Sequence, residues 1–274
     1  MLRKILLIAL LIALLAYLLV CGLLVAMETQ MVYPAPKFPR GNWEPAFEHT
    51  SIDFEARDGT KLHAWLMPAA NEGRWNFLLC HGNGENVASS SAWMGAHLSQ
   101  QFDANVFVFD YRGYGKSEGS PNEAGLRMDG ERAMEVFCEK IGKKPSDIIV
   151  IGHSVGGGVA THIAAETPCK ALILQRTFDR MVDVAAGQYW WAPVRLLMRN
   201  PFDSASALAQ YDGPVLQSHG ESDRLIPIKH GRALFENTTH PQSQFLSQPN
   251  VGHNDAFPPE YWGQLEEWLQ KIEQ

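Results

Sequence analysis

VIGHSVGGGVA, residues 150–160, places a serine among glycines directly after a run of β-branched apolar residues. Its five residues GHSVG fit the pattern G-x-S-x-G, in which a serine lies on a sharp turn between a strand and a helix. The apolar run predicts a strand that ends at residue 151, and a helix is predicted over residues 155–166. Such a turn exposes the Ser154 hydroxyl above a sheet, so Ser154 is the candidate nucleophile.

A serine hydroxyl attacks poorly unless a base removes its proton and a third group orients that base. Among the ten histidines, His253 is the candidate base, because QPNVGHNDAFPPE is a glycine-bearing loop between the last predicted strand and the last predicted helix. His219 also ends a predicted strand but has the weaker case. A structural loop histidine is the alternative interpretation of His253.

The orienting carboxylate is expected in a loop between the serine and the histidine. Asp223, in VLQSHGESDRLIP, lies a few residues past a predicted strand and is the candidate acid. Asp179, which follows the strand at residues 171–174, is the main alternative, and an aspartate that only caps a helix or turn is another. Asp255 lies too close to His253 along the chain to orient it.

Acyl transfer also requires donors for the oxyanion that develops on the substrate. The backbone N–H of Val155, directly after the candidate nucleophile, is one expected donor. The loop CHGNGEN, residues 80–86, is expected to supply the second through the N–H of Asn83, with Gly84 and an ordinary glycine turn as alternatives.

The remaining pattern predicts an α/β fold with a mostly parallel eight-stranded sheet and helices on both faces. SIDFEARDGTKLHAWLMP alternates apolar and polar residues around an Asp-Gly turn, which predicts an antiparallel hairpin at the start of the sheet. Short apolar runs then alternate with helix-length segments, which is typical of a parallel sheet covered on both faces. Predicted strands are residues 77–80, 106–109, 148–151, 171–174, 215–217 and 244–246, and predicted helices are residues 87–101, 121–141, 155–166, 229–237 and 258–272.

Residues 5–27 are 23 consecutive uncharged and mostly apolar residues, enough for a helix to cross a bilayer. We therefore predict a membrane anchor over residues 1–27, an extended proline-containing tether over residues 28–47, and a catalytic domain over residues 48–274. Arg3 and Lys4 should stay in the cytoplasm, which places the catalytic domain on the non-cytoplasmic side. A cleaved secretory signal is the alternative.

Composition narrows the function classes. The formal charge of −7 includes no basic block beyond Arg3 and Lys4, which argues against a nucleic-acid partner. The four cysteines show no C-x-x-C spacing, so neither a zinc site nor a disulfide framework is expected.

Residues 178–205 contain aromatic and apolar side chains that predict a small cap over the site.

Five short motifs occur in an order that resembles the α/β-hydrolases, especially the membrane-anchored single-pass group that includes depalmitoylating thioesterases. The resemblance spans residues 48–272 and implies serine hydrolase chemistry without a metal or organic cofactor, with Ser154, Asp223 and His253 in the nucleophile, acid and base positions. Related depalmitoylating enzymes often anchor through acylated cysteines, whereas this chain has a hydrophobic helix. The motifs are HGNGEN at 81–86, DYRGYGKS at 110–117, GHSVG at 152–156, GESD at 220–223 and GH at 252–253.

These observations predict a serine hydrolase that cleaves ester or thioester bonds of acyl substrates. For an enzyme anchored in a membrane, lipid-like substrates are expected. A peptidase or an acyltransferase would use the same three residues. A hydrolase-fold protein that binds a ligand without turnover is a further alternative, because fold alone does not dictate function.

Overall fold

Eight strands form a single mixed sheet in the computed structural model, which describes residues 1–71 and 73–273. The sheet order is β1-β2-β4-β3-β5-β6-β7-β8, with β1 and β2 antiparallel to each other, β2 antiparallel to β4, and all other neighbours parallel. The predicted fold class is therefore confirmed. The strands are β1 Thr50–Glu55, β2 Lys61–Met67, β3 Trp75–Cys80, β4 Ala104–Asp110, β5 Ile149–His153, β6 Ala171–Gln175, β7 Val215–Gly220 and β8 Gln244–Gln248.

Helices cover both faces of this sheet. In β4, Phe107 and Phe109 face one apolar core while Val106 and Val108 face the other, as expected for a strand buried on both sides. Side chains of α3, α4 and α8 complete the first core, and those of α2 and α9 complete the second. The helices are α1 Leu2–Val32, α2 Ser90–Phe102, α3 Glu123–Ile141, α4 Gly156–Glu166, α5 Met181–Gln188, α6 Val194–Leu197, α7 Ser204–Leu208, α8 Ile228–Phe235 and α9 Pro259–Glu273.

Some predicted helix ends move because local capping differs from the prediction. Helix α3 begins at Glu123 rather than at residue 121, since the Asn122 side chain accepts a hydrogen bond of 2.9 Å from the Gly125 N–H and so caps the helix. Helix α2 begins at Ser90 rather than residue 87, and no side chain caps its start. Neither shift moves a predicted site residue.

Helix α1 is long and apolar enough to cross a membrane, and only 6% of its most apolar stretch is buried against the rest of the chain. A core helix would be mostly buried, so α1 has the exposure expected of a membrane anchor or a signal sequence. It continues to Val32, five residues beyond the predicted anchor.

The predicted extended tether over residues 28–47 is therefore wrong at residues 28–32, which are helical. From Tyr33 on, the prediction of a free spacer also needs correction. Residues 28–32 are helical, because the first proline that can end the helix is Pro34. Tyr33 is buried, and the carbonyl of Pro36 accepts hydrogen bonds from the Gly115 N–H at 2.9 Å and the Asn86 side chain at 3.2 Å. This segment is packed on the domain and is not a free spacer.

Candidate active site

Ser154 lies between β5 and α4 in a backbone conformation that non-glycine residues seldom adopt. Its φ is 53°, in the left-handed region, which stores strain that the surrounding structure must hold. The Ser154 N–H donates to the Gln175 carbonyl at 2.9 Å, and the Ser154 carbonyl accepts from the Thr177 hydroxyl at 2.7 Å. These contacts tie the backbone of the turn to the end of β6 and to the residue two positions beyond it.

The glycine after this turn has a steric reason. A Cβ at Gly156 would lie 2.1 Å from the carbonyl oxygen of Cys80, closer than any real contact. Helix α4 can therefore start directly beneath Ser154 only because residue 156 has no side chain. The sequence pattern G-x-S-x-G thus corresponds to close approach between α4 and the end of β3.

The structure brings together the three side chains that were predicted from separate loops. Ser154 Oγ lies 3.0 Å from His253 Nε2, and His253 Nδ1 lies 2.7 Å from Asp223 Oδ2. The three residues follow β5, β8 and β7, so they meet at the carboxyl edge of the parallel strands. All three are buried.

Asp223 divides its two carboxylate oxygens between the histidine and the backbone. Oδ1 accepts hydrogen bonds from the N–H groups of Leu225 and Ile226, at 2.9 and 2.8 Å. Oδ2 faces His253 and, at 3.4 Å, His219. Burial on its own would raise the pKa of Asp223, but the contacts with His219 and His253 outweigh it and hold the pKa below its usual range.

Asn83 and Val155 both line the cavity in front of Ser154. Within residues 1–71 and 73–273, neither backbone N–H donates a hydrogen bond to another protein group. Two unpaired N–H groups in residues that line the same cavity as a serine hydroxyl are candidates to receive an oxyanion. Gly84, the alternative to Asn83, is exposed to solvent.

The cavity that ends at Ser154 has a volume of about 190 Å³ and is lined mainly by apolar side chains. Three parts of the chain enclose it: the last turns of α1, the predicted cap at residues 178–205, and the loop after β7. A wall of this composition suits an acyl chain better than a charged group. The apolar lining residues are Leu24, Val25, Met31, Val32, Val155, Met181, Val184, Ala185, Ala192, Val194, Leu197, Met198, Leu225 and Ile226.

Comparisons with known proteins agree with this architecture. Residues 76–201 match the family model described as alpha/beta hydrolase fold. Protein bem46 of Schizosaccharomyces pombe is 31% identical over 249 aligned residues, which cover 86% of this chain and 83% of that protein. The chain belongs to the α/β-hydrolase superfamily. The α/β-hydrolase domain-containing protein WAV2 of Arabidopsis thaliana is similar to it as well, at 28% identity over 91% of this hydrolase and 90% of its own length.

Solved structures share the fold of this hydrolase at lower identity. An esterase of Pyrococcus furiosus, Pf2001, superposes with a TM-score of 0.73 over 88% of this chain and 97% of its own, at 19% sequence identity. At that identity the similarity supports the fold and leaves the substrate open. The resemblance to the superfamily that the motifs predicted is confirmed.

The alternative acids contact other groups in this hydrolase. Asp179 Oδ1 lies 2.8 Å from His230 Nδ1, and this pair is separate from the histidine beside Ser154. Asp255 accepts a hydrogen bond of 2.7 Å from the Gly252 N–H and so shapes the loop that carries His253. His219, the alternative base, directs Nε2 at the Ile226 carbonyl, 2.8 Å away.

Sequence reasoning missed two charged residues that build the site. Arg176 is buried and donates through Nη1 to the carbonyls of His253 and Asp255, at 2.8 and 2.5 Å, so it holds the histidine loop in place. Its guanidinium also stacks over the Phe257 ring at 4.4 Å. An arginine two residues after the apolar run at residues 171–174 is the signal that could have found it.

Glu28 is the second missed residue. It is buried at the end of α1, where its carboxylate accepts hydrogen bonds from the backbone N–H groups of Arg199 and Asn200 and from the Asn200 side chain. A lone acid directly after an apolar run could have indicated a contact of this kind. No cluster of three or more metal-ligating side chains occurs in the described part of the chain.

Proposed function

We propose that this protein is a serine hydrolase that cleaves carboxylic ester or thioester bonds of acyl substrates through a covalent acyl-enzyme. The observation that carries the proposal is the continuous hydrogen-bonded chain from Ser154 through His253 to Asp223. The N–H groups of Asn83 and Val155, which have no protein acceptor within the described residues, and the apolar cavity that these residues share with Ser154 support the same function. The structural neighbour from Pyrococcus furiosus is an esterase, which is consistent with this proposal.

In the first half of the reaction, Ser154 Oγ attacks the substrate carbonyl carbon while His253 Nε2 takes the hydroxyl proton. The carbonyl electron pair moves onto oxygen, where the N–H groups of Asn83 and Val155 stabilise the negative charge. His253 then gives the proton to the leaving alkoxide or thiolate as its bond to the carbonyl carbon breaks. Asp223 accepts the His253 Nδ1 hydrogen and stabilises the imidazolium.

In the second half, water replaces the serine as the nucleophile. His253 removes one proton from the water as its oxygen attacks the acyl-enzyme carbonyl carbon. The bond to Ser154 Oγ then breaks, and the proton returns to this oxygen. The products are a carboxylic acid and the alcohol or thiol released earlier, with no net change in the enzyme.

The test uses the full-length protein in detergent micelles with matched p-nitrophenyl esters and acyl thioesters. We expect Ser154→Ala to lower kcat by at least about 10³-fold, because no other group can form the acyl-enzyme. Ser146→Ala is the matched control and should keep the wild-type rate. Ser146 is exposed and precedes the first residue of β5, whereas Ser154 follows the last one. A fluorophosphonate probe should label Ser154.

Three results would redirect the proposal. Equal rates in wild type and Ser154→Ala, with no labelling, would indicate a binding protein with a hydrolase fold. Preference for amide substrates would indicate a peptidase. Transfer of the acyl group to an added alcohol in place of water would indicate an acyltransferase.

The proposed anchoring places α1 across the membrane once, with the catalytic domain on the non-cytoplasmic side. Arg3 and Lys4 precede the apolar run, and basic residues favour the cytoplasmic side. Protease added outside intact cells, or spheroplasts where a cell wall blocks access, should digest the domain. Protection of the domain until the membrane is permeabilised would reverse the orientation. Release of the domain without residues 1–27 would indicate a cleaved signal.

A further inference from the structure

Helix α1 is both the candidate membrane span and one wall of the cavity. Leu24, Val25, Met31 and Val32 of α1 contribute to the cavity that ends at Ser154. At about 1.5 Å per residue, the positions from Leu24 to Val32 extend along the helix for about 12 Å. A substrate group in this cavity therefore lies directly against the segment that is apolar enough for a bilayer.

Polar contacts fix α1 to the domain at this end. Glu28 accepts four contacts from Arg199 and Asn200, all between 2.8 and 3.1 Å. The Asn83 side chain donates to the carbonyl of Val32 at 3.1 Å, and the Tyr33 hydroxyl donates to Asn200 Oδ1 at 3.1 Å. These bonds make the last turns of α1 part of the folded domain, so the wall keeps its position beside Ser154.

The opposite wall belongs to residues 189–198, which we call the cap segment. Its side chains Ala192, Val194, Leu197 and Met198 line the cavity together with those of α1. Nearer the start of α1, the Tyr17 hydroxyl donates to the Trp191 carbonyl at 3.2 Å, and the rings of Tyr17 and Trp191 make an edge contact. The cap segment therefore extends beside the apolar part of α1.

The outer surface of the cap segment carries two large exposed apolar side chains, and its one charged residue, Arg195, pairs with Asp183 at 2.8 Å. Trp190 is 82% exposed and Leu196 is 87% exposed. Tyr17 lies 15 residues before Val32, or about 22 Å along the helix, and within the uncharged run. With α1 across a bilayer, the contact between Tyr17 and Trp191 places this part of the cap segment beside lipid, where exposure of the neighbouring apolar side chains costs little.

We propose that the cavity opens sideways to the bilayer between α1 and the cap segment, and that its ligand is the acyl chain of a membrane lipid ester. The chain moves from the leaflet past Leu24 and Val25 until its carbonyl reaches Ser154. This inference rests on the proposed hydrolysis and names its substrate class. Glu28 is the only charged residue in the described cavity wall, and the protein N–H groups already occupy its carboxylate. The wall thus favours an uncharged chain.

The first test compares two ester substrates in the full-length protein reconstituted in liposomes. One is a bilayer lipid with a fluorogenic long acyl ester, and the other is water-soluble p-nitrophenyl acetate. Leu24→Trp fills the cavity from α1, while Leu23→Trp adds the same ring to an exposed position of the same helix. We expect the ratio of lipid-ester to acetate turnover to fall at least tenfold in Leu24→Trp and to change less than twofold in Leu23→Trp.

Equal ratios in the two variants would overturn the bilayer route. So would faster cleavage of a soluble long-chain ester, or of an S-acylated peptide, than of the lipid ester in the same liposomes. Absence of acetate turnover above the Ser154→Ala background would instead refute the proposed function. Val25→Phe probes the same wall with a smaller change where Leu24→Trp does not fold.

The second test measures lipid binding without turnover. The full-length Ser154→Ala variant is reconstituted with a phospholipid whose acyl chain ends in a photoreactive diazirine, and the adducts are mapped by mass spectrometry. We expect adducts at cavity residues of both walls, including Val25 and Met198. Adducts only on the outward side of α1, such as Leu7 and Leu11, would show that lipid contacts the anchor but does not enter the cavity.

Discussion

Asp223 illustrates how much one side chain depends on its neighbours in this site. Its position a few residues past β7 was enough to predict it, because loops at the carboxyl edge of a parallel sheet converge. The sequence favoured Asp223 over Asp179 although both aspartates follow strands, and the structure adds the partner of each one. The distinction lies in which histidine each one meets, and that contact is set by packing across the sheet.

Asp223→Asn is expected to lower kcat by about 10² to 10⁴-fold with little change in KM. The amide no longer holds His253 in the tautomer that can accept a proton at Nε2. Asp179→Asn is the matched control, because its carboxylate contacts His230, and its kcat should stay within threefold. Steady-state kinetics on full-length protein in micelles would check both. A kcat above one-tenth of wild type in Asp223→Asn would contradict the proposed role of Asp223 as the acid.

At the scale of a structural element, helix α4 shows how the glycines after Ser154 permit a tight connection between β5 and the helix. The sequence predicted a helix directly after Ser154, and the structure starts it at Gly156. The strained φ of Ser154 and the close approach to Cys80 are two effects of the same tight connection. The end of the strand and the glycines were therefore sufficient to predict the turn at Ser154. The start of α3 depended on a hydrogen bond of the Asn122 side chain, which the sequence pattern did not reveal.

Gly156→Ala is expected to destabilise the protein by on the order of 3 kcal/mol, because the new methyl group would meet a backbone carbonyl that cannot move freely. That corresponds to a thermal midpoint lower by roughly 10 °C for a domain of this size. Gly263→Ala in α9 is the control. Its Cβ would enter open space, so the midpoint should stay or rise slightly. Equal midpoints in both variants would contradict the steric argument.

The molecule as a whole joins a membrane-length helix to the domain through contacts between distant parts of the sequence. Sequence analysis identified the helix and the domain but treated the connection as a spacer, because the partners of Glu28 lie 171 and 172 residues away. Local pattern carries no information about such contacts. The structure makes the end of α1 a component of the fold.

Removal of residues 1–32 is accordingly expected to lower the thermal midpoint in detergent, because Asn200 loses its buried partners and the cavity loses a wall. Removal of residues 1–15 keeps the contacts from Tyr17 onward and serves as the control. The full-length protein and the shorter deletion should melt within about 2 °C of each other. Equal midpoints in all three proteins would show that α1 does not stabilise the domain.

Stability should also depend on pH through His153, whose side chain is mostly buried beside the site. Burial lowers the pKa of His153 to about 4, although Glu85, 3.8 Å away, opposes the shift. The unfolded chain protonates a histidine near pH 6.5, so between about pH 6.5 and 4 the unfolded state binds more protons. The contribution of His153 to the free energy of unfolding is therefore fully present above about pH 6.5. It falls as the pH decreases from about 6.5 to 4, and it does not change further below about pH 4.

Thermal midpoints of full-length protein in micelles, measured from pH 7 to pH 4, would check this dependence. His153→Asn removes the titrating group, so its midpoint should fall less steeply over the same range than that of wild type. Identical slopes in the two proteins would contradict a depressed His153 pKa. The low pKa of Asp223 acts in the same direction but only below about pH 4, where an unfolded aspartate becomes protonated.

The bond between Glu28 and Asn200 also dictates an order of events during synthesis. Glu28 leaves the ribosome long before Arg199 and Asn200, and at 5–20 residues per second the interval is roughly 10 to 30 s. In that interval the helix can enter the translocation machinery while its acid is still hydrated. With α1 as the proposed membrane anchor, the domain then closes on a helix that is already in place, so membrane insertion precedes completion of the cavity beside Ser154.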